Sequence, residues 1–282
     1  MKKIKLISDS TCDLSERLIK EHDIHIVPLH VSFGEETYRD GIDLNTEGLY
    51  KKVSETGSLP KSSAASPGEF ETVFKQYLEQ GYQVLYLGIG SKFSGTYQSA
   101  NVAKNMLESD DIVLVDSQNL SSGIGLLLLK AASFRQQGDD ILTIKNKLEA
   151  LVPKVRSQFV IDTLEYLYKG GRLNALSALM GKMLRIHPLI KVVDGEMIVG
   201  KKARGSMRKG LNIMLDEALE VKDAIDPEFM MITHSLADES YQYLKEKIDE
   251  EFTIEQLNET HAGCTISTHC GAGTIGILYI MK

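Results

Sequence analysis

The sequence predicts an α/β protein of two domains, the first on a mainly parallel sheet flanked by helices and the second on a mixed sheet. Three observations predict this. The 282 residues suffice for two ordinary domains. Through the first half, short apolar strand-like runs alternate with longer amphipathic runs, the pattern of a parallel sheet covered by helices. Near residues 150–156 that alternation gives way to a hairpin and a looser mixture. The boundary therefore divides 1–152 from 153–282.

The elements follow in order. IKLISDS is a short apolar strand that ends in small polar residues. IHIVPLHVSF puts Val27, Leu29, Val31 and Phe33 on one face at period two, and Pro28 inside it marks an edge strand or a bulge. SPGEFETVFKQYLEQG is a helix: Ser66 caps it, Pro67 suits its first turn, and Glu69 completes a capping box. Phe70, Val73, Phe74, Tyr77 and Leu78 form its buried stripe. YQVLYLGIG is a buried strand, and SKFSGTYQSANVAKNML a loop entering a helix. DIVLVDS is the next strand and SSGIGLLLLKAASFRQQG the next helix. DILTIKNKLEALVPKV is amphipathic and runs into Pro153. Beyond it come strand, helix and Gly-Gly turn in FVIDTLEYLYKGGRL, then a hairpin in LIKVVDGEMIVGKKA with Asp194-Gly195 at the turn. A basic helix (204–222), the strand FMMITHS, a charged helix (237–250), a weak strand (252–258) and the final strand TIGILYIMK complete the chain.

Composition excludes several classes. At 43% hydrophobic and 25% charged the chain has the composition of a globular protein. Its net charge of -7 lacks the basic face of a nucleic-acid binder. The one basic segment, GKKARGSMRKG (200–210), is accounted for by a solvated helix end. Three cysteines, Cys12, Cys264 and Cys270, suit a reducing compartment better than a disulfide framework. MKKIKLISDS has no apolar signal region, and GIGLLLL is too short to span a bilayer. The expected location is the cytoplasm.

STHCGAGTIG contains G-x-G-x-x-G at Gly271, Gly273 and Gly276, the spacing of a dinucleotide loop. That loop needs a helix after it, whose N-terminus holds the pyrophosphate. ILYIMK follows instead, alternating as a strand, so the nucleotide reading is rejected. GIGSKFSGTYQS (88–99) does follow a strand and open a helix. Ser91, Ser94 and Thr96 there suit an anion cradle, but on this segment alone an ordinary helix cap is the favoured reading. KSSAASPGEF (61–70) again sets hydroxyls before a helix, and Asp13 in SDSTCDL is a candidate cap for the helix after it. His261, Cys264, His269 and Cys270 lack the ligand spacing of a structural zinc site, so no metal is expected. A Ser94–His269–Asp9 hydrolase or acyltransferase site stays open as an alternative, because spacing alone does not exclude it.

Taken together and in order, SDSTCDLS, KSSAASPGEF, SKFSGTYQSA, YLYKGGRLN and STHCGAGTIG resemble the motifs of the DegV family over essentially the whole chain. That family comprises bacterial fatty-acid-binding proteins, among them the carrier components of fatty acid kinase. The resemblance implies a non-enzymatic carrier with a long-chain fatty acid bound between two α/β domains and no cofactor of its own. It implies that Ser62, Ser94 and His269 hold the carboxylate, with Ser63 and Gly95 in the same loops. It implies that Arg172 and Arg204 face a partner kinase that phosphorylates the carboxylate to an acyl phosphate, a step of phospholipid metabolism. It leaves room for transient contact with a membrane surface and gives no reason for a nucleic-acid partner. Two motifs depart from the family pattern: KSSAASP stands where K-T-S-Q-P-S-P is common, and HCGAG where H-x-G-P-G is common. Met180 and Met183 in LSALMGKMLRIHPLI offer adaptable wall material for the acyl chain.

Overall fold

A computed structural model describes residues 2–171 and 186–282. In chain order its first part runs β1 (Ile4–Asp9), α1 (Glu16–Glu21), β2 (Ile24–Val27), β3 (His30–Phe33), β4 (Glu36–Arg39), α2 (Thr46–Thr56), β5 (Lys61–Ser63), α3 (Pro67–Glu79), β6 (Gln83–Gly88), α4 (Thr96–Leu107), β7 (Ile112–Asp116), α5 (Ser122–Gln136) and α6 (Ile141–Leu151). The remainder runs β8 (Val155–Val160), α7 (Glu165–Lys169), β9 (Ile186–Val193), β10 (Glu196–Arg204), α8 (Met207–Leu219), β11 (Ile225–His234), α9 (Asp238–Glu251), β12 (Gln256–His261), α10 (Cys264–Cys270) and β13 (Ile275–Met281).

A four-stranded sheet has the order β2-β1-β6-β7, with every pair parallel. A six-stranded sheet has the order β10-β9-β8-β13-β11-β12. It is mixed: β11 and β12 are parallel and the other pairs antiparallel. Both sheets agree with the fold class expected from the sequence. The capping box at Ser66 and Glu69 forms, with Pro67 in the first turn of α3. The hairpin of β9 and β10 turns at Asp194-Gly195, both at positive φ.

Three expectations are corrected. IHIVPLHVSF is two strands rather than one. Pro28 lacks an N–H for the ladder, and the chain leaves the parallel sheet after β2, its edge, to enter a separate three-stranded sheet β4-β3-β5. The basic segment near 204–222 is shared between the end of β10 and α8, which begins only at Met207. The weak strand lies at Gln256–His261 instead of 252–258.

The core does not divide with the sheets. One apolar cluster joins Leu6, Leu85 and Val115 of the parallel sheet to Met231, Leu278 and Ile280 of the mixed sheet. α5 is the element between them, touching β1 and β6 on one side and β8, β11 and β13 on the other. Every residue from Ser122 to Ala132 is buried. A helix apolar all round belongs in such a position, not on a surface. Lys130 of α5 is buried with it and is paired to Asp226 at 2.6 Å and to Glu228 at 2.5 Å on β11. Among the described residues no helix is long and apolar enough to cross a membrane.

Candidate functional site

Ser62 and Ser63 lie on β5, where Val31 and His30 of β3 pair with them. They are strand residues, not loop residues: KSS is too short and too polar to announce a strand, and the β3 ladder supplies its pairing. Ser94 and Gly95 sit in the turn between β6 and α4. Ser94 Oγ accepts the Thr96 N–H at 3.2 Å and lies 2.8 Å from Thr96 Oγ1, so it ties down the start of α4 as well as lining a cavity, while the N-cap position itself is Gly95. Ser91 belongs to neither role. It turns outward and donates from Oγ to Asp116 at 2.6 Å. His269 is carried by α10, a helix with no counterpart among the elements expected from the sequence.

These segments, far apart in sequence, meet at one cavity of about 190 Å³ that Ser62, Ser63, Ser94, Gly95 and His269 all line. Ser62 Oγ lies 2.7 Å from His269 Nε2. Leu29, Ile89, Phe93, Leu120, Phe159, Leu167, Met197 and Leu278 are the larger apolar side chains among those that make the rest of the wall. Polar groups set into a mostly apolar wall are the usual composition of a small-molecule site. Gly170 at the end of α7 leaves room for the imidazole: a Cβ there would stand 2.4 Å from His269 Nδ1. Gly271 and Gly273, at φ 79° and 80°, turn the chain from α10 into β13. Gly276 lies within β13 between β8 and β11, where no nucleotide-binding helix follows.

Two carboxylates from the first forty residues hold α10 in place. Asp40 accepts the Cys264 N–H at 2.7 Å and the Thr265 N–H at 3.0 Å, one on each oxygen. Asp13 accepts the Gly263 N–H at 2.9 Å and the Ser121 hydroxyl at 2.5 Å. The first amides of a helix lack intrahelical acceptors, and carboxylates there also suit the helix dipole. Asp13 thus does not cap the helix after it; Ser15 caps α1. Burial pushes the Asp13 carboxyl well above its ordinary range. No local signal in the sequence connects residues 13 and 40 with 263–265.

The Ser94–His269–Asp9 triad is not assembled. The Asp9 carboxylate accepts from Thr11, from the Tyr86 hydroxyl at 2.8 Å and from the Ile89 N–H at 2.9 Å. His269 Nε2 meets Ser62 instead of Ser94. Among the described residues, His234, Glu259 and His261 form the one His/Cys/Asp/Glu trio whose ligand atoms lie within 4.8 Å of one another. His234 Nδ1 accepts the Ala237 N–H at 3.1 Å, so its neutral ring carries the proton on Nε2, which faces Glu259 at 3.1 Å. A proton on the nitrogen facing the trio leaves no lone pair there for a cation. Cys270 lines the cavity as a buried thiol, and burial pushes its pKa up to about 12. Arg204 ends β10 with its side chain exposed. Arg172, Met180 and Met183 fall outside the described residues.

Fold and site together define an α/β protein with a mostly apolar cavity lined by β5, the mixed sheet, α10 and the segments after β6 and β7, where His269 and several hydroxyls meet. The chain belongs to the DegV family: the family model described as "Uncharacterised protein, DegV family" matches residues 3–282. A DegV domain-containing protein of Clostridium acetobutylicum is 37% identical over the whole of both chains. Among solved structures, a DegV family protein from Thermus thermophilus described by its fatty acid binding has a TM-score of 0.93 at 28% identity, with 100% of both chains covered. A stearic acid-binding protein from Eubacterium ventriosum has a TM-score of 0.87 at 29% identity, covering 99% of this chain and 98% of its own.

Proposed function

We propose that this protein is a carrier of a long-chain fatty acid, held in the cavity with its carboxylate at Ser62, Ser94 and His269. One observation carries the reading: those three side chains, drawn from three distant segments, converge on a single cavity with a mainly apolar wall. A buried carboxylate must be hydrogen-bonded. Two hydroxyls and an imidazole N–H can do this, with the backbone beside Ser63 and Gly95. In an acidic protein, long-range attraction does not draw an anion in, so the hydrocarbon supplies the affinity. At about 0.8 kcal/mol per buried CH₂, roughly 14 methylenes contribute about 11 kcal/mol before association and ordering costs. The fatty-acid binding of the Thermus thermophilus and Eubacterium ventriosum proteins supports this choice of ligand.

We read 1–152 and 153–282 as two units with the cavity at their junction. In this reading the protein works in the cytoplasm and presents the carboxylate to a partner kinase for phosphorylation, with Arg172 and Arg204 toward that partner. The protein needs no nucleotide site for this, since the kinase brings the ATP.

Binding of palmitate to delipidated protein tests the site. His269→Ala, Ser62→Ala and Ser94→Ala are each expected to weaken it about tenfold or more, the worth of a hydrogen bond to a charged group. Variants that all bind like the parent would show that the head group lies elsewhere.

A further inference from the structure

The cavity wall carries more hydroxyls than the carboxylate reading uses, and nearly all are occupied. Ser121 donates to Asp13, Ser157 to Asn119 and Thr274 to the Cys270 carbonyl. Thr233 pairs with Thr260, and Ser235 with Tyr50 and Ser267. Ser62 and Ser94 have His269 and Thr96. Thr265 is different. Its side chain belongs to the same wall, the residue is 4% exposed, and among the described residues its hydroxyl has no hydrogen-bond partner. Its backbone N–H is already taken by Asp40, so the hydroxyl is its remaining donor.

Thr265 stands four residues before His269 on α10, one helical turn away on the same face. A buried hydroxyl without an acceptor is costly, and buried polar groups left unpaired in native structures call for an explanation. An acyl chain offers no acceptor. A carboxylate offers two oxygens with about four lone-pair sites, and Ser62, Ser94 and His269 supply only three side-chain donors. Recruiting Thr265 also breaks no existing bond, whereas a His269 Nε2–H that turns to the carboxylate must leave Ser62.

We propose that Thr265 is a further head-group residue, whose hydroxyl donates to the ligand carboxylate beside His269. The proposal rests on the fatty-acid reading of the cavity and adds a specificity-determining contact to it.

The test compares delipidated parent, Thr265→Val and Thr265→Ser by palmitate titration and by thermal unfolding without ligand. Val keeps the shape and removes the hydroxyl; Ser keeps the hydroxyl. Thr265→Val is expected to bind palmitate about tenfold more weakly. Without ligand it should melt no lower than the parent, because an unpaired buried group has been removed. Thr265→Ser should bind within about twofold of the parent. A purely structural role would instead lower the melting temperature of the empty Val variant. If Val proves too poorly packed to fold, Thr265→Ala makes the same comparison. A parent that binds palmitate and a Val or Ala variant that binds it equally well would overturn the proposal alone. A parent that does not bind palmitate would overturn the cavity reading and the proposal with it.

Discussion

Replacing Asp40 by Ala tests whether carboxylates near the start of the chain hold the histidine helix near its end. Asp40 is 3% exposed and accepts hydrogen bonds from the Ser10 hydroxyl, the Cys264 N–H and the Thr265 N–H at 3.0, 2.7 and 3.0 Å. The substitution strands two buried amides and a hydroxyl. Each stranded donor costs about 1–3 kcal/mol, more where the lost acceptor was charged. Three such losses come to about 5 kcal/mol. Part is recovered because Asp40 and Asp13 repel each other and the variant removes that repulsion. The net expectation is about 3 kcal/mol of stability, read by urea or guanidinium unfolding. For a chain of this size it corresponds to a fall in melting temperature of very roughly 6–12 °C. Palmitate affinity should fall as well, since α10 carries His269. Asp40→Asn should fall between, because its amide keeps one acceptor oxygen and loses the other. A loss below about 0.5 kcal/mol in Asp40→Ala, with unchanged binding, would refute the claim that this carboxylate positions α10.

Other consequences follow from buried groups. The Asp13 carboxyl is pushed up by burial, so over the range between its raised native value and about 3.9 the folded state binds more protons than the unfolded one. Its contribution therefore favours folding increasingly as pH falls through that range and is lost as pH rises above it. Asp13→Asn should remove this part of the slope in stability measured from pH 8 to pH 5; an identical slope in variant and parent would contradict the assignment. All three thiols are buried, and burial raises each of them, Cys12 and Cys270 to about 12. A thiol reagent at pH 8 should label less than one cysteine per folded chain and all three in denaturant; rapid labelling of Cys270 in the native protein would contradict its burial.

Much of the fold was legible because its signals are local. The capping box at Ser66, the Asp194-Gly195 hairpin and the continuous apolar runs of β6 and β7 are each readable within a few residues. The absence of a helix after Gly276 was equally local. What escaped is held by non-local partners. β5 is three polar residues whose pairing comes from β3, about thirty positions earlier. α10 reads CTISTHC, a run of residues with weak helix preference, and Asp13 and Asp40 hold its first turn from more than two hundred residues away. The head-group residues themselves were named through family motifs. Their meeting in one cavity depends on strand pairing and helix capping that no single segment displays. α5 shows the reverse case: GIGLLLL was too short for a membrane, and its all-round apolarity fits burial between two sheets.

The central claim is that the cavity holds a long-chain fatty acid. Protein purified from a bacterial host, denatured and extracted with solvent, should release such acids to the mass spectrometer at close to one per chain. After delipidation it should take up palmitate or oleate again at the same stoichiometry. A protein that emerges free of lipid and fails to bind either acid when it is added would contradict the account.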